Sequence, residues 1–405
     1  MHGPAASSKV RAFGVQVTAV TTERAAAPSP LSAHLMAAAS VYRAALNAPD
    51  LVPAHADAVA AQALVRMDDF LIGIERWRRA ARPSAPVRPE PLWSIGNSCA
   101  HAYGDPLDPP VLVVPSLINQ ADILDLTEET SFLRTLARHG VNPVLLDWGA
   151  PCPDTSSFGL EGYLHHRLMP ALEAVHQHTG TRPALLGYCL GGTLSACLAS
   201  LTPNAISALV CLAAPWAFPR DVTVPGGALR AAALGLGEAR LDAMLHGLAA
   251  SFGCVPGLLY QSLFAAIDPM QALPKFRSFA KLPLTSDAAQ RFIAVEDWLA
   301  ANRDTTLGVA QDVLIKLQMQ DRLSRGQFVM EGQPVRAANI TTPTLVILGQ
   351  KDRIAPPELA RPLAQSIPGS ALLTPDLGHV GAIVSGSAQR QVISPIADFL
   401  LSHRA

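Results

Sequence analysis

A chain of 405 residues that is 49% hydrophobic and 16% charged, with a formal net charge of −1, has ample apolar material for one large domain or two modest ones. So even a charge balance, with no basic cluster interleaved with aromatics, argues against nucleic acid or acidic lipid as a partner. Six cysteines, at 99, 152, 189, 197, 211 and 254, include no C-x-x-C pair, which argues against the usual zinc spacings and a disulfide framework and points to a reducing cytoplasm.

In chain order, residues 1–30 are rich in Ala, Ser and Pro without the apolar stretch of a signal peptide, and read as a disordered leader. Residues 31–90 read as a helical arm, periodic to about Arg82, followed by the proline-rich joint RPSAPVRPEPL. From about residue 110 short apolar runs alternate with helical segments. PPVLVVPS, NPVLLDWG, PALLGYC, SALVCLAAPW, TPTLVILGQ and SALLTPDLGH read as strands; SFLRTLARHG, LMPALEAVHQHTG and GTLSACLASL read as helices. Continuous apolar runs bounded by Gly and Pro are the mark of parallel strands buried on both faces. The expectation is an α/β fold with a mostly parallel sheet flanked by helices. Its core covers 91–216 and 339–405, and a mostly helical insertion over 217–338 caps the carboxyl edge of the sheet. Two charge-free stretches, Pro183 to Pro219 and Ala243 to Ile267, are broken by Gly, Pro and His, so neither reads as a membrane span.

LLGYCLGGTLS, residues 185–195, has the form of the G-x-S-x-G nucleophile turn with Cys189 in the serine position. Gly187 and Gly191 flank it because a strand–turn–helix bend that sharp leaves no room for a Cβ. The helix that follows places its positive end near the sulfur and favours thiolate. Cys197 and Cys211 read as plain core residues. In this chain order the acid and the histidine follow the nucleophile. Asp352 lies just beyond the apolar run Leu345–Leu348, and His379 follows a later one. The rival acids are weaker: Asp376 is too close to His379 in the same loop to orient it, and Glu358 reads as exposed helix. His139, His165, His166, His176 and His178 read as surface residues of helices, and His403 as part of the terminal tail. An oxyanion hole needs backbone N–H donors, for which Leu190 and one of Leu117 and Ile118 are the candidates; Pro115 has no N–H to give.

PSLINQADILDL, LLDWGAP, GYCLGGT, GQKDRIAP and GHVGAIVSG, in this order and spacing, resemble the polyhydroxyalkanoate synthases over about residues 90–402. The resemblance implies an α/β-hydrolase fold with a Cys-Asp-His triad: Cys189 as acyl-bearing nucleophile, His379 as base and Asp352 as its partner. It implies an (R)-3-hydroxyacyl coenzyme A thioester as substrate, a polyester as product, and no metal or further cofactor. LLDWGAP and GHVGAIVSG look closest to the shorter synthases that work with a partner subunit, with a homodimer as the other arrangement and a polymer granule surface as a further contact in the cytoplasm. Three features depart from the family pattern, one of them the cap around PGGALRAAALGLGEARLDAMLHGL, which matches no motif of the family. Arg353 stands where many members have a histidine, and the segment before residue 90 does not resemble the long N-terminal domain of the larger synthases. The same triad with water as acceptor would make a thioesterase or an intracellular depolymerase. A non-catalytic granule-binding subunit on the same fold is the third reading.

Overall fold

The computed structural model describes residues 56–404 except 222, together with Ser32 and Leu35. The expected leader over 1–30 and the first part of the arm lie outside the described residues. The arm's remainder is helix α1 (Ala56–Arg79), followed by the extended proline-rich joint. A hairpin of β1 (Pro91–Ile95) and β2 (Ser98–Ala102) opens the sheet, turning through Gly96 and Asn97. It was not anticipated from sequence. β1 is largely exposed, so its residues carry no apolar run; the Gly-Asn turn is the signal that marks it.

The next strands, β3 (Pro110–Val114), β4 (Asn142–Asp147), β5 (Ala184–Tyr188) and β6 (Leu209–Leu212), fall where the apolar runs predict. A short hairpin of β7 (Val329–Met330) and β8 (Gln333–Pro334) stands apart from the sheet. β9 (Thr344–Ile347) and β10 (Ala371–Leu373) complete it. The order is β1-β2-β4-β3-β5-β6-β9-β10, with β2 antiparallel to both its neighbours and every later pairing parallel. Alternate residues of each central strand serve opposite faces. Leu112 and Val114 join the larger core with Leu185 and Leu209, whereas Val111 and Val113 join the other with Leu186 and Val210.

Helices α2 (Phe132–Arg138), α3 (Met169–Thr179) and α4 (Leu190–Leu201) connect the first parallel strands. The insertion after β6 supplies α5 (Gly227–Leu236), α6 (Glu238–Phe252), α7 (Leu258–Ile267), α8 (Ala272–Phe279) and α9 (Asp287–Ala300). α10 (Pro357–Ser366) and α11 (Ser394–Ser402) close the chain. The insertion differs from the expected cap in two ways. It contains the β7–β8 hairpin, and its last part joins the larger apolar cluster. Val313 and Leu317, on a π-helical stretch Gln311–Met319, and Phe328 and Met330 after it pack in the same cluster as Leu112 and Leu185. The same cluster also holds Leu241, Leu245 and Tyr260 of α6 and α7, so this stretch packs continuously with both the cap helices and the strands.

The arm is fastened to the cap. Phe70 and Trp77 of α1 meet Phe276 of α8 edge-on, at ring-centroid distances of 6.0 and 5.9 Å. The Arg76 guanidinium donates to the carbonyls of Ala280 and Leu282 just beyond α8. At the carboxyl edge of the sheet the strand ends are level. Val114 pairs with Gly187, Tyr188 with Leu212, and Leu212 with Ile347, so the loops leaving β3, β5, β6 and β9 emerge side by side. β3 is also where the strand order reverses, the position at which open α/β sheets hold their ligands.

Candidate active site

Cys189 occupies the one-residue bend between β5 and α4, at φ 56° and ψ −127°. Left-handed backbone is unfavourable for a residue with a Cβ, and here it is held by hydrogen bonds on both sides. Cys189 N–H donates to Leu212 O at 2.9 Å, and the N–H groups of Gly192 and Thr193 return to Cys189 O at 2.9 and 3.2 Å. The two flanking glycines answer to space. A Cβ on Gly191 would lie 2.1 Å from Val114 O, and one on Gly187 would lie 2.4 Å from the Cα of Gly192. The first α-helical turn therefore sits directly on β3 and holds the sulfur above the carboxyl edge of the sheet.

Asp352 follows β9 and His379 follows β10, and the structure brings them together: His379 Nδ1 lies 2.7 Å from Asp352 Oδ2. The other carboxylate oxygen, Oδ1, accepts from the N–H groups of Ile354 and Ala355, both at 2.8 Å. Asp352 is thus a buried carboxylate with both oxygens engaged, where a lone K-D-R loop suggests a solvated one. Asp376 instead pairs at the surface with Lys351, and Glu358 is exposed. His379 is buried beside Cys189. Burial alone would lower its pKa, but the charge of Asp352 and the contact with Cys189 outweigh that and raise it to about 10. With Nδ1 committed to Asp352, Nε2 is the ring nitrogen left to serve the sulfur.

Tyr188, which sequence reasoning passed over, supports the histidine. Its hydroxyl donates to His379 O at 3.3 Å, and the two rings pack at 5.1 Å. The signal was available, because a Tyr directly before the nucleophile must place its ring within the same shell. The remaining cysteines are differently placed. Cys197 and Cys211 lie in the core, where burial pushes both thiols up, that of Cys211 to about 12. No sulfur is paired in a disulfide, and no group of three or more His, Cys, Asp or Glu side chains is arranged for a metal ion among the described residues.

Of the oxyanion candidates, Leu190 begins α4 directly after Cys189, and Leu117 and Ile118 are buried in the loop after β3. Ile118 N–H already donates to Ser116 Oγ at 3.3 Å, which favours Leu117 as the second donor. The neighbouring Asn119 joins core to cap, accepting at 3.1 Å from Gln261 Nε2 on α7. Neither side chain was singled out from sequence. Both line, with Cys189 and His379, a cavity of about 510 Å³ roofed by α7, α8 and α9. Its walls include Phe264, Phe292, Val295 and Leu299, and its rim carries Lys275, Arg291, Lys351 and Arg353. Arg353 bonds across the rim to Asp268 at the end of α7. The histidines at 139, 165, 166, 176, 178 and 403 contribute nothing to this cavity.

A thiol, an imidazole and an oriented carboxylate beneath an apolar roof can carry acyl transfer through a covalent thioester. Comparison with known proteins finds sequence relatives over most of the chain. The poly(3-hydroxyalkanoate) polymerase subunit PhaC of Synechocystis sp. is 29% identical over 306 residues, covering 73% of this chain and 78% of that protein. The subunit of the same name from Allochromatium vinosum is 26% identical, with 72% and 80% covered. That from Haloferax mediterranei is 28% identical over 72% of this chain but only 58% of its own length. Residues 109–385 match the family model for the alpha/beta hydrolase fold, from the first parallel strand to just past the histidine. With that match spanning most of the chain, and with a sheet of this order and level strand ends, the protein belongs to the alpha/beta hydrolase fold family.

Proposed function

We propose that this chain is a polyhydroxyalkanoate synthase, which polymerises (R)-3-hydroxyacyl coenzyme A into a polyester through a thioester on Cys189. The observation that carries the reading is the 2.7 Å bond between His379 and Asp352, with His379 and Cys189 lining one cavity. Similarity to polymerase subunits over about 72% of the chain supports the choice of substrate.

In the first step Cys189 reacts as a thiolate whose proton already rests on His379 Nε2, in keeping with the raised imidazole, and the sulfur attacks the thioester carbonyl. The N–H groups of Leu190 and Leu117 receive the oxyanion. The carbon–sulfur bond to coenzyme A then breaks, and its thiolate leaves with the proton from the imidazolium. One thioester replaces another, so the acyl group stays activated; a serine ester would lose that drive. In the second step His379 takes the proton of a 3-hydroxyl group, whose oxygen attacks the waiting thioester. An ester bond forms, the bond to Cys189 Sγ breaks, and the thiolate–imidazolium pair is restored. Asp352 holds the ring and offsets its charge throughout. Water would end the chain, and the apolar roof of the cavity limits its access.

The reading extends to surroundings. Six unpaired thiols suit a reducing cytoplasm, and no helix among the described residues is long and apolar enough to cross a membrane. A partner subunit or second copy, and the granule surface, are the expected neighbours. Incubation of the pure protein with (R)-3-hydroxybutyryl coenzyme A, alone and with candidate partners, tests the proposal. Coenzyme A release with insoluble polyester is the expected result. Release with free 3-hydroxybutyrate and no polymer makes the protein a thioesterase or depolymerase, and no release under any condition leaves a binding subunit.

A further inference from the structure

Behind the reactive cavity, on the far side of Phe264, Ile267 and Ile354, lies a second chamber of about 140 Å³. Those three side chains line both spaces and form the partition between them. The chamber's other walls are almost wholly apolar, among them Leu263, Leu314 and Met319, and Ile118 of the oxyanion loop reaches it too. One charged group faces this surface: Arg230 of α5, only 8% exposed. Its Nη2 donates to Pro219 O at 3.1 Å, while its Nε–H is buried and has no partner among the described residues. No carboxylate there lies within ion-pair distance of it. Asp321, whose charge acts on it, already accepts from Phe218 N–H and the Ser324 hydroxyl.

A buried donor without an acceptor is destabilising, so a guanidinium kept in an apolar chamber calls for an occupant that is greasy and carries an oxygen acceptor. The volume is below the roughly 300–1,000 Å³ typical of ligand pockets and far too small for a coenzyme. A short polyester segment has the required chemistry, since each unit pairs an alkyl group with an ester carbonyl. We propose that this chamber receives the acyl chain extending from Cys189 past Phe264, and that Arg230 Nε–H donates to an ester carbonyl of that chain. Arg230 is then a binding residue for the elongating product, and the identity of its ligand rests on the synthase reading.

The test uses the full chain carrying Cys189→Ala, titrated calorimetrically with the methyl ester of a linear (R)-3-hydroxybutyrate trimer. Binding is expected, with affinity falling at least about tenfold in Arg230→Met, the scale of one lost charge-assisted hydrogen bond. Leu263→Trp, which fills this chamber without lining the reactive cavity, is expected to weaken it as much and serves alone should Arg230→Met fail to fold. Affinity unchanged by the variants that fold overturns the proposal, as does binding of the free-acid trimer but not of its ester. Polymer formation by the wild type separates the two claims. Arg230-dependent binding in a protein that makes no polymer keeps the chamber and removes the synthase. Polymer formation with trimer binding indifferent to these variants does the reverse.

Discussion

Cys189 is held in backbone that disfavours any side chain, a strain of the kind that functional turns carry. Cys189→Ser fits the same space, and circular dichroism should show an unchanged fold while polymer formation drops at least about a hundredfold. Asp352→Asn should also leave the fold intact yet slow turnover by about 10²–10⁴, because the amide no longer fixes the ring's tautomer or offsets its charge. The raised imidazole has a further consequence for stability. Its folded value of about 10 exceeds the ordinary 6.5, so between these values the folded state binds more protons than the unfolded one. The stability it contributes is therefore complete below pH 6.5 and is lost as pH rises through about 10. Urea denaturation of wild type and His379→Gln across this range should show their difference shrinking toward high pH. A constant difference would mean that the ring's proton plays no part in holding the site.

At the scale of elements, the glycine that lets α4 rest on β3 is the most exacting position. Gly191→Ala forces a Cβ against Val114 O, a backbone atom that cannot step aside without moving a central strand. A loss of about 1–3 kcal/mol in denaturant melts is expected, together with slower alkylation of Cys189. The central strands were legible because burial on both faces writes itself as an unbroken apolar run, as in Val111–Val114. The elbow was legible because close approach admits only glycine. The β1–β2 hairpin was not, since an exposed edge strand carries no such run. Nor was the inward packing of Val313 and Leu317, which reads as cap helix until the surface beneath it is known. Asp352 and His379 could be placed after strands, but their meeting depends on the level ends of β9 and β10, a matter of register that no single stretch encodes. Asn119, Gln261 and Arg230 escaped notice for a related reason. Each is an ordinary polar residue in its own segment and gains its meaning from a partner, or from the want of one, far along the chain.

Across the whole molecule, several polar links join cap and core, among them Arg353–Asp268, Trp298 Nε1 to Gln120 O and Arg303–Asp147, and single removals report what each one does. The Gln261–Asn119 bond ties α7 to the loop that also bears Leu117. Gln261→Leu should leave the melting temperature within about 4 °C, as expected for loss of one modest hydrogen bond, while reducing acylation of Cys189 more than that small change explains. Stopped-flow coenzyme A release would measure it, and unaltered acylation would show that the link serves packing alone. Opposite the core, Arg76 clasps the chain just past α8. Arg76→Met should speed proteolysis in the proline-rich joint over residues 80–90 without lowering the melting temperature of the core.

α8 is only eight residues long, and it is gripped by α1 on one side while presenting Lys275 to the reactive cavity on the other. So short a rod transmits a tug with little give. Whatever engages α1 therefore acts on the helix that carries Lys275 at the wall of the reactive cavity.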